Sequence, residues 1–383
     1  MMMLRKITMN NFLSFKNQTM MDMRATGYKV LSESNVYNDV LKGFFLVGAN
    51  ASGKTNVIRA LKVLLDLLFA EKSINLGMQA CLFSAEKSFF VEYEFEFSGD
   101  MVKYYIEYER KKKSLIEKLF INNDMVLNRI GNNAESEITE NKIYNDIDEN
   151  TLLLREIYFN TKFRKQIILK QWFDFLMNSV YMDGYLGTIF SPGKIDLEIE
   201  DYLESQGAEE INNFFEKFNF NQRIEYSKAS SGKMTRIESP DEKDIFFKRE
   251  GVGEPIPFPW ESLGNQKLLR FLPSFFYVVK NGGMLIVDEF GSGFHNFLEE
   301  LLVRYFMQQS KKSQLFIVSH STNLLSNSLL RPDQIYAVNF NGIEGSVLKR
   351  FSTEQPRVAQ NLERMYTGDV FGGVPEYKDD KNN

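Results

Sequence analysis

The chain contains the octapeptide Gly48-Ala49-Asn50-Ala51-Ser52-Gly53-Lys54-Thr55, a complete G-x-x-x-x-G-K-[ST] pattern. The apolar run Phe44-Phe45-Leu46-Val47 precedes it, and an amphipathic helical pattern from Val57 to Leu68 follows it. Glycines between a strand and a helix let backbone N–H groups surround a phosphate at the positive end of the helix. Lys54 is placed to reach the β- and γ-phosphate oxygens, and Thr55 is placed to bind Mg²⁺. The octapeptide therefore predicts a nucleotide-binding loop in an α/β fold.

A second apolar run ends in two acids. Met284-Leu285-Ile286-Val287 leads directly into Asp288 and Glu289. A buried parallel strand carries such side chains to the carboxyl edge of its sheet, where ligands bind. We expect Asp288 to hold Mg²⁺ through water and Glu289 to polarise the attacking water. A core strand that merely ends in acids is the alternative, and the octapeptide upstream favours the site.

The two histidines of the chain both follow this acidic pair. His320 comes after the apolar run Leu315-Phe316-Ile317-Val318 and Ser319, a position from which it can donate a hydrogen bond to a γ-phosphate. His295 ends the segment Gly291-Ser292-Gly293-Phe294-His295. It is either a residue at the edge of the same site or a structural histidine.

The pattern of apolar and polar residues divides the chain into three predicted parts. Residues 1–109 form an N-terminal lobe with the octapeptide and an antiparallel hairpin between Phe89 and Tyr108. Residues 110–225 form a mainly helical insertion, with helical spacing at 152–180 and 197–218. Residues 226–383 form a C-terminal lobe, with short strands at 225–258 leading into it. Helices are expected at 264–280, 296–309 and 321–329, and strands at 284–287, 315–318 and 335–339. The predicted class is α/β, with a mostly parallel core sheet flanked by helices, an antiparallel β subdomain and the helical insertion.

The amino-acid composition limits which partners and which cellular compartment are expected for the protein. Lysine and arginine total 46, aspartate and glutamate 51, and the formal net charge is −5, so no overall attraction to nucleic acid or anionic membranes is expected. The single cysteine, Cys81, excludes an intrachain disulfide and suits a reducing compartment. The longest apolar stretch, from Val57 to Ala70, contains Arg59, Lys62 and Asp66, which is too charged to span a bilayer. We expect a cytoplasmic protein without a membrane partner.

A fourth element, Glu261-Ser262-Leu263-Gly264-Asn265-Gln266, stands at the head of an amphipathic helix before the acidic strand. A serine N-cap followed by glycine explains it locally. With the other three elements, in this order, it resembles the Ser-Gly-Gly-Gln signature of ABC-type ATPases, with Asn265 in place of the second glycine. The resemblance implies that Ser262, Gly264 and Asn265 contact ATP held by a partner subunit.

Details around the octapeptide narrow the resemblance. Asn50 and Asn56 match the G-x-N-x-x-G-K-[ST]-N form of SMC and RecF heads, and Leu4 to Phe15 is similar to the first strand and turn of those heads. The segment from Tyr366 to Pro375, together with Glu261 to Gln266, resembles the RloA-like family of bacterial ATPases, which includes abortive-infection proteins. The resemblance implies ATP and Mg²⁺ as cofactors and Lys54, Glu289 and His320 as catalytic residues. The residues expected around ATP are Gly48, Asn50, Ala51, Ser52, Gly53, Lys54, Thr55 and Asn56, and those expected to hold Mg²⁺ are Thr55 and Asp288.

Two parts of the ABC pattern are missing from the sequence. No glutamine can be assigned to the Q-loop, for which Gln79 is the nearby candidate. The segment after Glu289 lacks the aspartate that often follows in such ATPases. Both departures concern the coupling of ATP to movement more than the binding of ATP.

The resemblance implies an ATPase, slow in turnover, that closes as a homodimer or higher homo-oligomer around ATP. Its expected role is the sensor or regulator of an anti-phage system of the abortive-infection or toxin–antitoxin type, controlling a separate effector such as a nuclease or toxin. The alternative is a RecF-like DNA-repair ATPase with ATP-dependent DNA binding; a transporter subunit fits poorly. Nucleic-acid contact is not indicated, because the basic run from Arg110 to Lys113 is equally explained by a solvated hairpin end.

Overall fold

The computed structural model of the protein describes residues 2–71, 75–140, 143–149, 151–228 and 243–375. The helices are α1 Ser32–Asn35, α2 Lys54–Phe69, α3 Leu153–Thr161, α4 Ile167–Met177, α5 Ile199–Gln206, α6 Glu209–Lys217, α7 Leu263–Asn281, α8 Asn296–Gln309 and α9 Leu362–Thr367. The strands are β1 Met2–Asn10, β2 Thr19–Asp22, β3 Val36–Tyr37, β4 Val40–Leu41, β5 Gly43–Val47, β6 Ser88–Phe97, β7 Asp100–Glu109, β8 Ser114–Ile121, β9 Asp124–Ile130, β10 Asn133–Ser136, β11 Ile143–Tyr144, β12 Val180–Asp183, β13 Thr188–Phe190, β14 Arg223–Lys228, β15 Lys243–Lys248, β16 Ile256–Pro257, β17 Gly283–Asp288, β18 Ser313–Val318, β19 Ile335–Phe340 and β20 Ser346–Arg350. Within the described ranges, no helix has the length and hydropathy needed to cross a membrane.

The central sheet is mixed and has the order β13-β12-β17-β18-β5-β19-β20. Its strands from β12 to β19 run parallel, and β13 and β20 are antiparallel edges. Every residue of β5, β17 and β18 is buried, as expected for parallel strands covered on both faces. The mostly parallel core sheet is thus confirmed. The carboxyl ends of β5, β12, β17 and β18 meet at one edge, where sheets of this kind bind ligands.

The two faces of the mixed sheet belong to different hydrophobic cores. On β5, Phe44 and Leu46 point into one core, and Phe45 and Val47 point into the other. The first core also contains side chains of α2, α3, α4 and the long antiparallel sheet. The second contains side chains of α5, α6, α7 and α8. The mixed sheet therefore lies between two packed layers, and the loop after β5 starts from a strand that is buried on both faces.

The second sheet is antiparallel, with the order β11-β10-β9-β8-β7-β6-β1-β2. The hairpin expected between Phe89 and Tyr108 is confirmed as β6 and β7, joined at Ser98 and Gly99. Burial alternates along β6, as the apolar alternation of its sequence indicates.

The expected helical character of residues 110–225 is wrong at their beginning, where β8 and β9 extend the antiparallel sheet. The inward side of β8 carries Leu115, Glu117 and Leu119, and Arg129 lies inward on β9. Charged side chains at inward positions interrupt the apolar alternation that would have indicated strands. The later helical spacing is confirmed as α3, α4, α5 and α6.

Two further expectations need correction. Val180–Asp183, at the end of a predicted helical stretch, is strand β12 and pairs with β17 in the mixed sheet; four residues are too few to reveal a strand by periodicity. The helix expected at 321–329 is only a 3₁₀ turn at Thr322–Leu324. There Asn327 donates its side-chain N–H to the carbonyls of Val358 and Gln360, 2.9 Å from each, and such side-chain bonds compete with helix formation. The three-part division of the chain stays a prediction.

Candidate functional site

The loop between β5 and α2, called the P-loop below (residues 48–55), turns tightly at its first glycine. A Cβ atom on Gly48 would lie 2.3 Å from the Val338 carbonyl oxygen, so only glycine fits. Asn50, Ala51 and Ser52 face the cleft in front of the loop. The Ser52 hydroxyl is buried and has no hydrogen-bond partner among the described residues. An unsatisfied buried hydroxyl beside a helix N-terminus suits an anionic ligand.

Lys54 opens helix α2 and folds back over the P-loop. Its Nζ donates to the carbonyl oxygens of Gly48 at 2.9 Å and Ala49 at 2.8 Å. Burial lowers the pKa of the Lys54 ammonium, while the charges of Glu289 and Asp288 act in the opposite direction. The ammonium is therefore held at the loop and, among the residues that the structure describes, has no direct carboxylate partner, which leaves its charge for a phosphate.

Thr55 and Asp288 meet at the carboxyl end of β17. Thr55 Oγ1 donates to Asp288 Oδ1 at 3.2 Å. Burial raises the pKa of the Asp288 carboxyl; Thr55 opposes the shift, and the charges of Glu289 and Asp183 add to it. Hydroxyl and carboxylate oxygens suit Mg²⁺, which takes one or two protein ligands beside substrate phosphates. The two residues fit the ion that the sequence implies.

Glu289 and His320 stand together at the end of neighbouring strands. His320 Nε2 lies 3.5 Å from Glu289 Oε1. Both side chains are partly exposed, 46% for His320 and 37% for Glu289. Glu289 has a φ of 54°, a left-handed conformation that costs a non-glycine residue about 1–3 kcal/mol. This turn aims the carboxylate into the cleft beside the histidine, where it can contact a bound water.

These groups share one cleft of about 820 Å³. Its lining residues are Asn50, Ala51, Ser52, Gly53, Lys54, Thr55, Asn56, Asp183, Tyr185, Leu186, Glu289 and His320. The structure thus brings together the P-loop, the acid after Asp288 and the histidine that the sequence singled out separately. Their chemical roles stay predictions.

The back of the P-loop is supported by two serines that sequence reasoning did not assign. Asn56 Nδ2 donates to Ser14 Oγ at 2.8 Å. Ser346 Oγ lies 2.7 Å from Ser14 Oγ and donates to the Ser52 carbonyl at 2.6 Å. Ser14 and Ser346 come from opposite ends of the chain, so no local pattern reveals their contact.

A third acid of the cleft, Asp183 at the end of β12, was also missed. Its carboxylate accepts the N–H groups of Tyr185 at 3.0 Å and Leu186 at 2.8 Å. Gly184 N donates to the Asp288 carbonyl at 2.8 Å. Strand β12 is buried beside β17, a pairing that the sequence did not show, and this pairing brings Asp183 into the cleft.

Gln79, the candidate for the Q-loop, lies on a 3₁₀ turn, where its side chain contacts the Asn75 carbonyl. It is not among the residues that line the cleft.

Glu299 on α8 links the loops that follow Glu289 and His320. It is 1% exposed and accepts a hydrogen bond from Ser321 Oγ at 2.9 Å. A Cβ on Gly291 would lie 2.3 Å from its Oε1, so the carboxyl fills the space beneath that loop. Burial raises the pKa of the Glu299 carboxyl. Its only sequence signal is an acid in the first turn of an amphipathic helix, which is common on surfaces.

Ser262, Gly264 and Asn265 lie outside the P-loop cleft of their own molecule. Ser262 Oγ caps α7 by accepting the Asn265 N–H at 3.3 Å. Asn265 exchanges two side-chain hydrogen bonds with Gln222, at 3.0 and 3.4 Å. A Cβ on Gly264 would lie 2.7 Å from the Gly293 carbonyl oxygen, so the helix start packs directly on the loop after Glu289.

The same three residues line a separate depression of about 490 Å³, whose other walls are largely aromatic and aliphatic. His295 also lines it, and its Nδ1 accepts the Phe297 N–H at 3.3 Å as the N-cap of α8. The capping bond gives His295 a structural contact, and a part for it in the ATP site stays a prediction. Ser262 and Lys54 therefore belong to two different concave surfaces of one molecule.

Comparisons with known proteins agree with this architecture. Residues 44–326, well over half of the chain, match the family model described as "AAA domain, putative AbiEii toxin, Type IV TA system". No curated protein matches the chain. The fold is similar to a structure titled "Crystal structure of the SmcHead bound to the C-winged helix domain of ScpA", with 15% identity and a TM-score of 0.53, covering 90% of this chain and 96% of that one. An SMC head domain from Thermotoga maritima aligns with 16% identity and a TM-score of 0.48, covering 90% of this chain and 97% of that one. At these identities the SMC-head likeness concerns the fold alone.

Proposed function

Because the chain belongs to this family of AAA domains, we propose that it binds and hydrolyses ATP and closes around it as a homodimer. Its role in the cell is then the sensor or regulator of a bacterial anti-phage system, controlling a separate nuclease or toxin. The family's description, which names a type IV toxin–antitoxin system, supports this placement. The observation that carries the ATP chemistry is one cleft that holds Lys54, Thr55, Glu289 and His320 together.

Each of these residues has a role that its surroundings support. Lys54 and the N–H groups of the P-loop bind the β- and γ-phosphates. Thr55 and Asp288 hold Mg²⁺, which neutralises charge on the phosphate oxygens when bound. Glu289 takes a proton from the attacking water, and His320, 3.5 Å from it, donates to the γ-phosphate.

The surface around Ser262 supports a second copy as the partner. Leu263 is 64% exposed and Trp260 is 68% exposed, on either side of the serine. Large apolar side chains in such positions favour burial against another protein surface. In the closed dimer, Ser262 and the N-terminus of α7 face the γ-phosphate held by the other copy's P-loop.

The test uses Glu289→Gln, which keeps the shape of the side chain but cannot accept the proton. It should bind ATP with wild-type affinity, lose hydrolysis by about 100-fold or more, and accumulate as a dimer with ATP. A phosphate-release assay measures the loss of hydrolysis, and light scattering measures the dimer. Glu300→Gln, on α8 outside the cleft lining, is the control and should behave as wild type. A wild-type protein that bound no ATP, or stayed monomeric with it, would refute the proposal.

The same variant, tagged and purified with ATP from its host, tests the placement in defence. We expect a stoichiometric small protein with nuclease or toxin character to co-elute. Nuclease-sensitive DNA without such a protein would instead support the RecF-like repair function.

A further inference from the structure

The C-terminal segment, defined here as residues 362–373, contacts two loops of the proposed ATP site. It lies beyond residues 44–326, the part that matches the family model. Helix α9 begins the segment, and a turn carries it to the carboxyl ends of β5 and β19. Its contacts are with the first turn of the P-loop and with the loop that follows β18.

The first contact is between two backbones. Gly373 has a φ of 82°, and a Cβ there would lie 2.9 Å from the Val338 carbonyl oxygen and 3.5 Å from the Gly48 Cα. Gly48 itself packs on the same carbonyl oxygen. The first P-loop glycine therefore lies between β19 and Gly373, and a Cβ on either glycine would come too close to the Val338 carbonyl oxygen.

Several interactions fix Gly373 in this place. Tyr366 Oη donates to the Gly373 carbonyl at 3.0 Å. The Phe371 ring stacks on Phe351 with centroids 3.7 Å apart, and Lys349 Nζ donates to the Val370 carbonyl at 3.1 Å. These bonds tie the segment to β20 and the turn after it, so the contact with the P-loop is built into the fold.

The second contact is with the histidine loop, residues 319–324. Thr322 Oγ1 donates to Glu363 Oε1 at 2.6 Å. Thr322 is two residues beyond His320, the predicted ligand of the γ-phosphate. One short segment thus touches the loop that holds the phosphates and the loop that carries the histidine.

We propose that the C-terminal segment is a positioning element of the nucleotide site. Gly373 holds the P-loop in its binding conformation, and Glu363 holds the histidine loop in its catalytic one. The inference rests on the proposed ATPase function. It predicts two separable defects, because the first contact affects ATP binding and the second affects turnover.

The first experiment compares Gly373→Ala with Gly372→Ala. Both glycines have positive φ, 82° and 76°, so both variants carry similar backbone strain. A Cβ on Gly372 meets nothing within 4 Å, whereas a Cβ on Gly373 would come within 2.9 Å of the Val338 carbonyl oxygen, the atom on which Gly48 also packs. Gly373→Ala should weaken ATP binding by about tenfold or more, measured by calorimetry, and Gly372→Ala should not. Tyr366→Phe removes only the hydroxyl that bonds the Gly373 carbonyl and should weaken ATP binding by a smaller factor. This variant replaces Gly373→Ala in the test if Gly373→Ala does not fold.

The second experiment uses Thr322→Val, which keeps the volume and removes the donated hydrogen bond. We expect kcat to fall by about tenfold with little change in KM. Glu363→Ala should give the same loss, and the double variant should add nothing further.

The outcomes distinguish a failure of the proposed ATPase function from a failure of the positioning role. Wild-type protein that binds no ATP refutes the proposed function itself. If wild-type protein binds ATP and the Gly373→Ala and Gly372→Ala variants bind it with equal affinity, only the positioning role is overturned. A Thr322→Val enzyme with unchanged kcat overturns the positioning role as well.

Discussion

The antiparallel sheet and the P-loop cleft both bury charged side chains, and the two regions differ in how completely those side chains are hydrogen-bonded. In the antiparallel sheet, Glu117 and Arg129 are both fully buried, 4.0 Å apart. Glu117 accepts hydrogen bonds from Tyr104 Oη at 2.7 Å and from the backbone N–H groups of Leu153 and Leu154 at 2.8 and 3.0 Å. Its carboxylate thus holds the N-terminus of α3 against the sheet.

Arg129 completes that network on the other side. It donates to the carbonyls of Gly131, Asp148 and Thr151, so its guanidinium faces backbone acceptors on three sides. The pair joins β8 and β9 to the loop that precedes α3. Because the polar atoms of Glu117 and Arg129 already have hydrogen-bond partners, few of them are left to bind a ligand.

The P-loop cleft is bonded less completely. Lys54 and Asp288 are each only 5% exposed. Among the described residues, Lys54 contacts carbonyls of its own loop, and the Asp288 carboxyl accepts from the Thr55 hydroxyl and from the Glu289 backbone. The buried Ser52 hydroxyl has no partner among the described residues. Because buried polar groups are normally satisfied, the comparison indicates that charge in the sheet serves the fold and charge in the cleft awaits a ligand.

The largest expected effect tests the sheet. Glu117→Leu leaves Arg129 buried without its acid, so the free energy of unfolding should fall by about 3–5 kcal/mol. Denaturant titration measures it. ATP affinity of the folded fraction should be unchanged.

Replacing both partners is the control for this prediction. Glu117→Leu combined with Arg129→Met removes both charges and should recover part of the lost stability, although three backbone carbonyls then lose their donor. A double variant as unstable as the single one would show that the lost α3 cap, and not the orphaned charge, causes the effect.

The next effect tests the cleft. Lys54→Met keeps the buried volume and removes the ammonium, so ATP affinity should fall by about 100-fold, measured by calorimetry. Stability without ATP should change little, because the cost of burying the ammonium offsets its two hydrogen bonds to the Gly48 and Ala49 carbonyls. Lys62→Met, on the same helix and paired with Asp66, should bind ATP normally. A Lys54→Met protein that is strongly destabilised would remove the distinction between the two regions.

The smallest effect concerns pH. The Asp288 carboxyl has a raised pKa in the fold, so the folded state binds its proton more tightly than the unfolded chain does. Wild-type stability should therefore fall as pH rises from about 4 through that raised pKa. Without ligand at pH 7, Asp288→Asn should melt at a higher temperature than wild type, and the difference should vanish below about pH 4. Calorimetry at several pH values measures it, with Asp100→Asn as control; equal pH profiles for Asp288→Asn and wild type would contradict it.

How far the sequence predicts this molecule depends on whether each feature is local. The P-loop, the strand before Asp288 and the β6–β7 hairpin each have a complete pattern within one short continuous stretch of sequence, and the structure contains the loop, strand and hairpin expected. Strands β8 and β9 were missed because Glu117 and Arg129 occupy inward positions, where their burial depends on hydrogen bonds to Tyr104 and to backbone groups far along the chain as well as on each other.

Other contacts have no local signal at all. Ser14 meets Ser346, and Gly373 meets Gly48, across more than 300 residues of chain. Asp183 enters the cleft because β12 pairs with β17, a partner more than 90 residues away. Such contacts follow from the assembled sheet, so one sequence without its fold does not reveal them.

The strand order has a consequence for synthesis of the protein. Strand β5 leaves the ribosome early, but its two neighbours in the sheet, β18 and β19, are residues 313–318 and 335–340. At translation rates of about 5–20 residues per second, β5 waits on the order of tens of seconds for them. During that time five consecutive residues that are buried in the final sheet have no partner strands. The nascent chain should therefore depend on chaperones until most of it is made, and a truncated product that ends before β18 should aggregate.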